Sequence, residues 1–345
     1  MRIGYFGDGR WAQMAFDRIV ADERFQILFV STRHRIPDQH LRDRAERHGI
    51  PFLTVPDVND PAFVAEVGTW KPDLLVSMSF DQILRRDILT AAPLGFVNCH
   101  AGSLPFYRGC NPINWAIING EPRFGVTVHF VDDGIDTGDI VLQRFAPIAP
   151  EDTYADCLTA AHDLCAATLH DALVAIAEGT AERTPQAAIH PVGFYCGRRR
   201  DGDEWVQWTW PSRRIVDFCR AITLPGPCAR SLGDAGPIAV VSAEMIPNAP
   251  SYLCTPGEVI GRGPAGVVVK TGDGTIRVTA VADVLEDGSL GEIHPPRFRI
   301  GTRIGFDPAA RLLHENFRLQ RRMHALEERL DRIERYMNSA VALRS

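Results

Sequence analysis

Along the first 180 residues, short apolar runs alternate with amphipathic stretches. Residues 2–6, 25–31, 51–55, 74–78, 96–99, 126–131 and 140–146 are apolar or β-branched enough to predict strands. Some, such as Phe25-Gln26-Ile27-Leu28-Phe29-Val30-Ser31, are almost continuous rather than alternating, so both faces of those strands are expected to be covered. Residues 11–22, 38–48 and 60–70 repeat their apolar positions at helical spacing. Strands alternating with helices predict an α/β fold with a doubly wound, mostly parallel, Rossmann-like sheet. A longer helix is predicted over 152–178, opened by Glu151-Asp152-Thr153 and ended at Gly179.

Beyond Gly179 the pattern breaks. Residues 191–215 mix charge, glycine and aromatics, including Arg198-Arg199-Arg200, Trp205 and Trp208, and read as a linker wrapping back toward the first domain. A short helix is predicted at 212–221, then β segments at 238–243, 257–261, 266–270 and 275–284. Turn sequences such as Gly272-Asp273-Gly274 separate them, which predicts a small β-barrel or sandwich. The tail changes period once more. Leu312, Asn316, Leu319, Met323, Leu326, Leu330, Ile333 and Met337 are spaced 4,3,4,3,4,3,4, a heptad seam. The expected organisation is a main domain over 1–190, a linker over 191–215, a small β domain over 216–305 and a coiled-coil helix over 306–340. Arg322 with Glu327 and Arg329 with Glu334 stand in the g-to-e relation of a parallel pair, so a homodimer through this helix is expected.

Composition narrows the function classes. A length of 345 residues suits two domains. The net charge of −6 argues against general nucleic-acid binding without excluding a local basic patch. No apolar run reaches the ~20 residues needed to span a bilayer, and the N-terminus lacks the zones of a signal peptide. Eight cysteines show neither a C-x-x-C pair nor zinc spacing, so no metal is expected and a reducing, cytoplasmic setting is. Gly7-x-Gly9 continues as Arg10-Trp11-Ala12, an incomplete dinucleotide fingerprint that reads better as a tight turn.

Candidate chemistry gathers at the strand ending in Asn98-Cys99-His100. Ligands of open α/β sheets sit beyond strand C-termini. His100 is the side chain suited to exchange a proton near neutrality, and Asn98 could donate to an oxyanion. Asp136, in the loop after the next strand, is expected on the same rim, where a carboxylate would orient the imidazole. Cys99 alternates with its neighbours and should face the core. No serine or cysteine lies in a nucleophile-elbow context, so the nucleophile would come from the substrate. Structural polar pairing would explain Asn98 and His100 about as well.

The motifs say more together. Asn98-x-His100, then Ser103-Leu104-Pro105 through Arg108-Gly109, then Asp132-x-Gly134-x-Asp136-x-Gly138 strongly resemble the 10-formyltetrahydrofolate-dependent formyltransferases. The resemblance implies that an acceptor amine attacks the formyl carbon while Asn98, His100 and Asp136 assist. It implies a folate pocket at Phe80, Asp81, Gln82, Ile83 and Leu84, faced by Asp132, Asp133 and Gly134. It likens the small β domain to the OB-like C-terminal domain of relatives. Phe106-Tyr107-Arg108-Gly109 and Asn114-Trp115 look like the branch that formylates nucleotide-linked amino sugars, such as a dTDP- or GDP-4-amino-4,6-dideoxyhexose. On that reading Ser103, Tyr107, Arg108 and Asn114 bind the acceptor, with Arg108 meeting the diphosphate. The short span between residues 31 and 51 and the negative charge favour that branch over the tRNA branch, whose members carry a basic insertion there. Nucleotide sugar is therefore the expected partner and nucleic acid is not. Methionyl-tRNA, another small amine and water remain as alternative acceptors, and a non-catalytic folate-binding protein remains as an alternative class.

Overall fold

A computed structural model describes residues 1–345 except 201, 234–235, 252–253, 286, 306–311, 313–315, 317–318, 320–321, 325, 328, 331–332 and 334–345. Its first elements follow the apolar runs: β1 (Arg2–Gly7), α1 (Gly9–Val20), β2 (Gln26–Thr32), α2 (Gln39–Arg47), β3 (Phe52–Thr54), α3 (Pro61–Trp70) and β4 (Leu74–Met78). Then come α4 (Arg86–Leu89), β5 (Phe96–His100), β6 (Arg108–Gly109), α5 (Pro112–Ile118), β7 (Arg123–Phe130), β8 (Ile140–Pro147), α6 (Tyr154–Ala177), α7 (Gln186–Ile189) and β9 (Tyr195–Cys196).

The main sheet has seven strands in the order β3-β2-β1-β4-β5-β7-β8. The pairings of β1, β2, β3, β4 and β5 are parallel, whereas β7 and β8 add antiparallel. Phe6, Phe29, Phe63, Leu75, Ile88 and Phe96 form one packed cluster on this sheet. α6 starts at a capping box: the Thr153 hydroxyl accepts from the Asp156 N–H, and the Asp156 carboxylate accepts from the Thr153 N–H. It ends before Gly179, whose φ of +70° favours glycine.

The antiparallel setting of β7 corrects one expectation. Phe130, at the end of β7, lies opposite Val97, near the start of β5. The following loop therefore leaves beside the beginning of β5. Asp136 reaches His100 because residues 131–139 run back along the sheet, not because two strand ends share a rim.

The chain forms two compact units, residues 1–204 with 217–227, and residues 205–216 with the described residues from Cys228 onward. The boundaries expected at 190 and 215 thus move. Residues 191–204 belong to the first unit, where β9 pairs with β6 beside the Ser103–Gly109 loop. The helix α8 (Ser212–Ala221) has the predicted bounds. The second unit carries β10 (Ala229–Leu232), β11 (Pro237–Met245), β12 (Val259–Gly263), β13 (Gly266–Lys270) and β14 (Thr275–Asp283). They make one antiparallel sheet ordered β10-β11-β14-β13-β12, which is the expected small β domain. Trp208 is not an exposed linker aromatic. It is buried in this unit, and its indole N–H donates to Ser231 Oγ at 2.9 Å.

Candidate active site

The site is built on β5. Parallel pairing sets Ser77 of β4 beside Asn98, and antiparallel pairing sets His129 of β7 opposite it. Ser77 Oγ donates to Asn98 Oδ1 at 2.8 Å, which fixes the amide so that its N–H groups face the other way. One of them meets His129 Nε2 at 3.3 Å. His129 Nδ1 lies 2.8 Å from the Phe130 carbonyl and so carries the hydrogen, leaving Nε2 to accept from Asn98.

His100 is buried, and its Nε2 lies 2.7 Å from the Tyr107 carbonyl, so that nitrogen holds a proton and donates it. Its Nδ1 is left as the basic nitrogen, 3.6 Å from Asp136 Oδ2. Burial pushes the imidazole pKa below its ordinary value, against the Asp136 carboxylate, which draws it upward. Two residues make this geometry possible. At Gly102 a Cβ would come 2.5 Å from both His100 Nε2 and the Tyr107 carbonyl oxygen. Tyr107 itself adopts a φ of +56°, which turns its carbonyl to the ring.

Asp136 sits between the two histidines. Its Oδ1 lies 3.5 Å from His129 Nε2, and its Oδ2 accepts the Gly109 N–H at 2.8 Å. Burial would raise its pKa. The positive charge that the His100 and His129 imidazoles can each carry, with the Gly109 N–H, holds it well below the usual carboxylate range, so it stays ionised. The backbone at Asp136 has a φ of +54°, and the Gln186 side chain clamps that loop by donating to the Asp136 and Gly138 carbonyls. Gly138 admits no side chain, since a Cβ would overlap the Phe130 carbonyl.

A cleft of about 550 Å³ opens over this cluster, all of it within the first unit. Residues 80–84, Asn98, His100, residues 109–114, His129, residues 133–136, Trp11 and Tyr154 line it. Phe80 packs on Phe6, with ring centroids 5.5 Å apart, and anchors its loop to the core. The Gln82 side chain accepts from the Val58 N–H and donates to the Val55 carbonyl, pinning the same loop. Ile83 is 72% exposed, and Asp81, Leu84, Asp133 and Gly134 share the wall. Asp132 is not a lining residue. It accepts from the Gly134 N–H and the Thr137 hydroxyl, which knots the loop.

The residues expected to hold the acceptor are mostly occupied elsewhere. Only Asn114 lines the cleft, and its amide donates to the Ala221 carbonyl. Arg108 gives Nε and Nη2 to Gln186 Oε1 at 3.0 and 2.7 Å, so its guanidinium is not set to grip a diphosphate in the cleft. The Tyr107 phenol donates to Glu121 at 2.6 Å, and Ser103 packs where Gly125 leaves room. Cys99 is buried, with its thiol toward the Cys165 carbonyl of α6, as its alternation implies. His129 was not among the expected site residues. Its only signal was a histidine in a predicted strand; that it falls directly opposite Asn98 depends on a register that is not written in the spacing.

The formyl transferase model matches residues 1–173, and the model for the formyl transferase C-terminal domain matches residues 199–283. The chain belongs to the formyl transferase family. Membership makes this protein a folate-dependent formyltransferase. It is 32% identical over 289 residues to a methionyl-tRNA formyltransferase of Roseiflexus sp. (strain RS-1), a match covering 81% of this chain and 87% of that one. The corresponding enzyme of Pelotomaculum thermopropionicum is 34% identical over 239 residues, covering 69% and 75%. A solved N-formyltransferase from Helicobacter canadensis, in complex with folinic acid and dTDP-3-aminofucose, superposes with a TM-score of 0.62 over 80% of this chain and 98% of that one. At 20% identity that likeness shows the fold alone.

These matches overturn the sugar-nucleotide expectation and the exclusion of nucleic acid. The relatives near 30% identity, spanning both domains, are methionyl-tRNA enzymes. The reasons for the error are physical. A net charge sums the whole surface and says nothing of a local cluster such as Arg198 and Arg200, both exposed. The connection from β2 to α2 is indeed short, residues 33–38, but a missing insertion removes one recognition surface without identifying what the others bind. Among the described residues there is no group of His, Cys, Asp or Glu that could hold a metal, and no helix long and apolar enough to cross a membrane.

Proposed function

We propose that this enzyme moves the formyl group of 10-formyltetrahydrofolate to the amino group of methionyl-tRNA. The observation that carries the acceptor is the 32% identity over 289 residues, which runs through both the catalytic and the C-terminal domain of a methionyl-tRNA formyltransferase. The donor supplies an activated formyl carbon. Residues 80–84 and 133–136 fit its folded ring, since they combine apolar wall with loop backbone in a cleft of suitable size.

The chain's own groups then divide the work. The second Asn98 N–H, not used by His129, donates to the oxygen that gains charge when the amine attacks. His100 Nδ1 takes the proton the amine must lose and hands it to N10 of the donor as the formyl carbon–N10 bond breaks, so that tetrahydrofolate leaves. The imidazolium so formed has both N–H groups met, one by the Tyr107 carbonyl and one by Asp136. Asp136 is already ionised, so the charge pair forms without a further proton transfer. The 3.6 Å gap between His100 and Asp136 is expected to close when the ring is protonated. Holding amine and formyl carbon in one cleft supplies much of the remaining rate.

The test is product analysis. Methionyl-tRNA incubated with 10-formyltetrahydrofolate and enzyme should yield N-formylmethionine after deacylation, seen as the mass gain of one formyl group. Unmodified methionine, with the donor consumed, would contradict the proposed acceptor.

A further inference from the structure

The terminal helix is not used by the catalytic account. Its described residues, 312, 316, 319, 322–324, 326–327, 329–330 and 333, are all helical and all exposed. Leu312, Leu319, Met323, Leu326, Leu330 and Ile333 are 50–71% exposed. Large apolar side chains exposed singly need no explanation, but six on one stripe do. Their 4,3 spacing is the period that two supercoiled helices bury. Met337 and Glu334, which continue the pattern by sequence, lie outside the described residues.

We infer that the stripe of Leu312, Leu319, Met323, Leu326, Leu330 and Ile333 is buried in a parallel two-stranded coiled coil against a second copy of this chain. Three features choose that occupant. First, the seam is self-complementary: Leu312, Leu319, Leu326 and Ile333 at d, with Met323 and Leu330 at a, stack against their own copies. Second, Asn316 takes an a position. In a parallel pair it meets the Asn316 of the partner subunit, and the two amides satisfy each other. In an antiparallel pair it would face leucine, leaving a buried amide without a partner. Third, Arg322 at g faces the partner subunit's Glu327 at e, and symmetry doubles the contact. Both residues are exposed, and Glu327 also lies 3.8 Å from His324 on its own helix.

Sedimentation of the full chain at micromolar concentration tests this. The wild type should run at twice the mass of one chain. Leu319→Glu with Leu326→Glu should run at one chain mass while keeping formyl transfer within twofold, since neither residue lines the cleft. Arg322→Glu should weaken the dimer at least tenfold, and adding Glu327→Arg should restore it. A monomeric wild type, a trimer, a dimer that survives both leucine changes, or no rescue by the double charge swap would overturn the proposal.

Discussion

His100 is held neutral by burial and poised by Asp136, and this sets a pH dependence. Burial disfavours the charged ring, so His100 stays a free base to below the ordinary histidine value of ~6.5. The acid limb of kcat/KM should therefore fall below that value. Asp136→Asn removes the attraction that raises the pKa, so the limb should move lower still while kcat drops. An acid limb above 6.5 in the wild type would contradict the burial argument. Asn98→Ala should lower kcat roughly 10²–10³-fold, the range for losing one oxyanion donor, with the thermal midpoint nearly unchanged. Gly102→Ala should damage both rate and stability, because its Cβ would press on the hydrogen bond from His100 to Tyr107. Asn98, His100 and Asp136 could be singled out because the family resemblance attaches to those types at those spacings, and the fold brings the three to one cleft. His129 was not, because its place depends on how β7 registers against β5.

At the scale of elements, the readable parts were those that a local rule determines. β1, β2 and β4 are continuous apolar runs buried on both faces, and their predicted bounds differ from the observed ones by a residue or two. The start of α6 was readable because Thr153 and Asp156 form a capping box. Removing it by Thr153→Ala should cost about 0.5–2 kcal/mol in a denaturant titration, without altering kcat. The direction of β7 was not readable, since a strand's apolar pattern is the same whichever way it runs. The two-residue strands β6 and β9 were not readable either, since tertiary pairing alone makes them. The pairing matters, because it holds the loop whose Tyr107 carbonyl orients His100.

Taken whole, the molecule joins a catalytic unit to a β domain that its methionyl-tRNA relatives share. If tRNA is the acceptor, cationic contacts to phosphate must contribute to its binding. KM for methionyl-tRNA should then rise with salt far more steeply than KM for the folate donor. The acceptor was the least legible part of the sequence. Arg108 looked like a diphosphate ligand there, but Gln186 occupies its guanidinium. The most direct test is to count, in one reaction, tetrahydrofolate released and formylmethionyl-tRNA formed, for the wild type and for His100→Ala. One formylmethionyl-tRNA per tetrahydrofolate in the wild type, with both lost in the variant, is the predicted result. Tetrahydrofolate without formylated tRNA, or transfer that survives the loss of His100, would contradict the account.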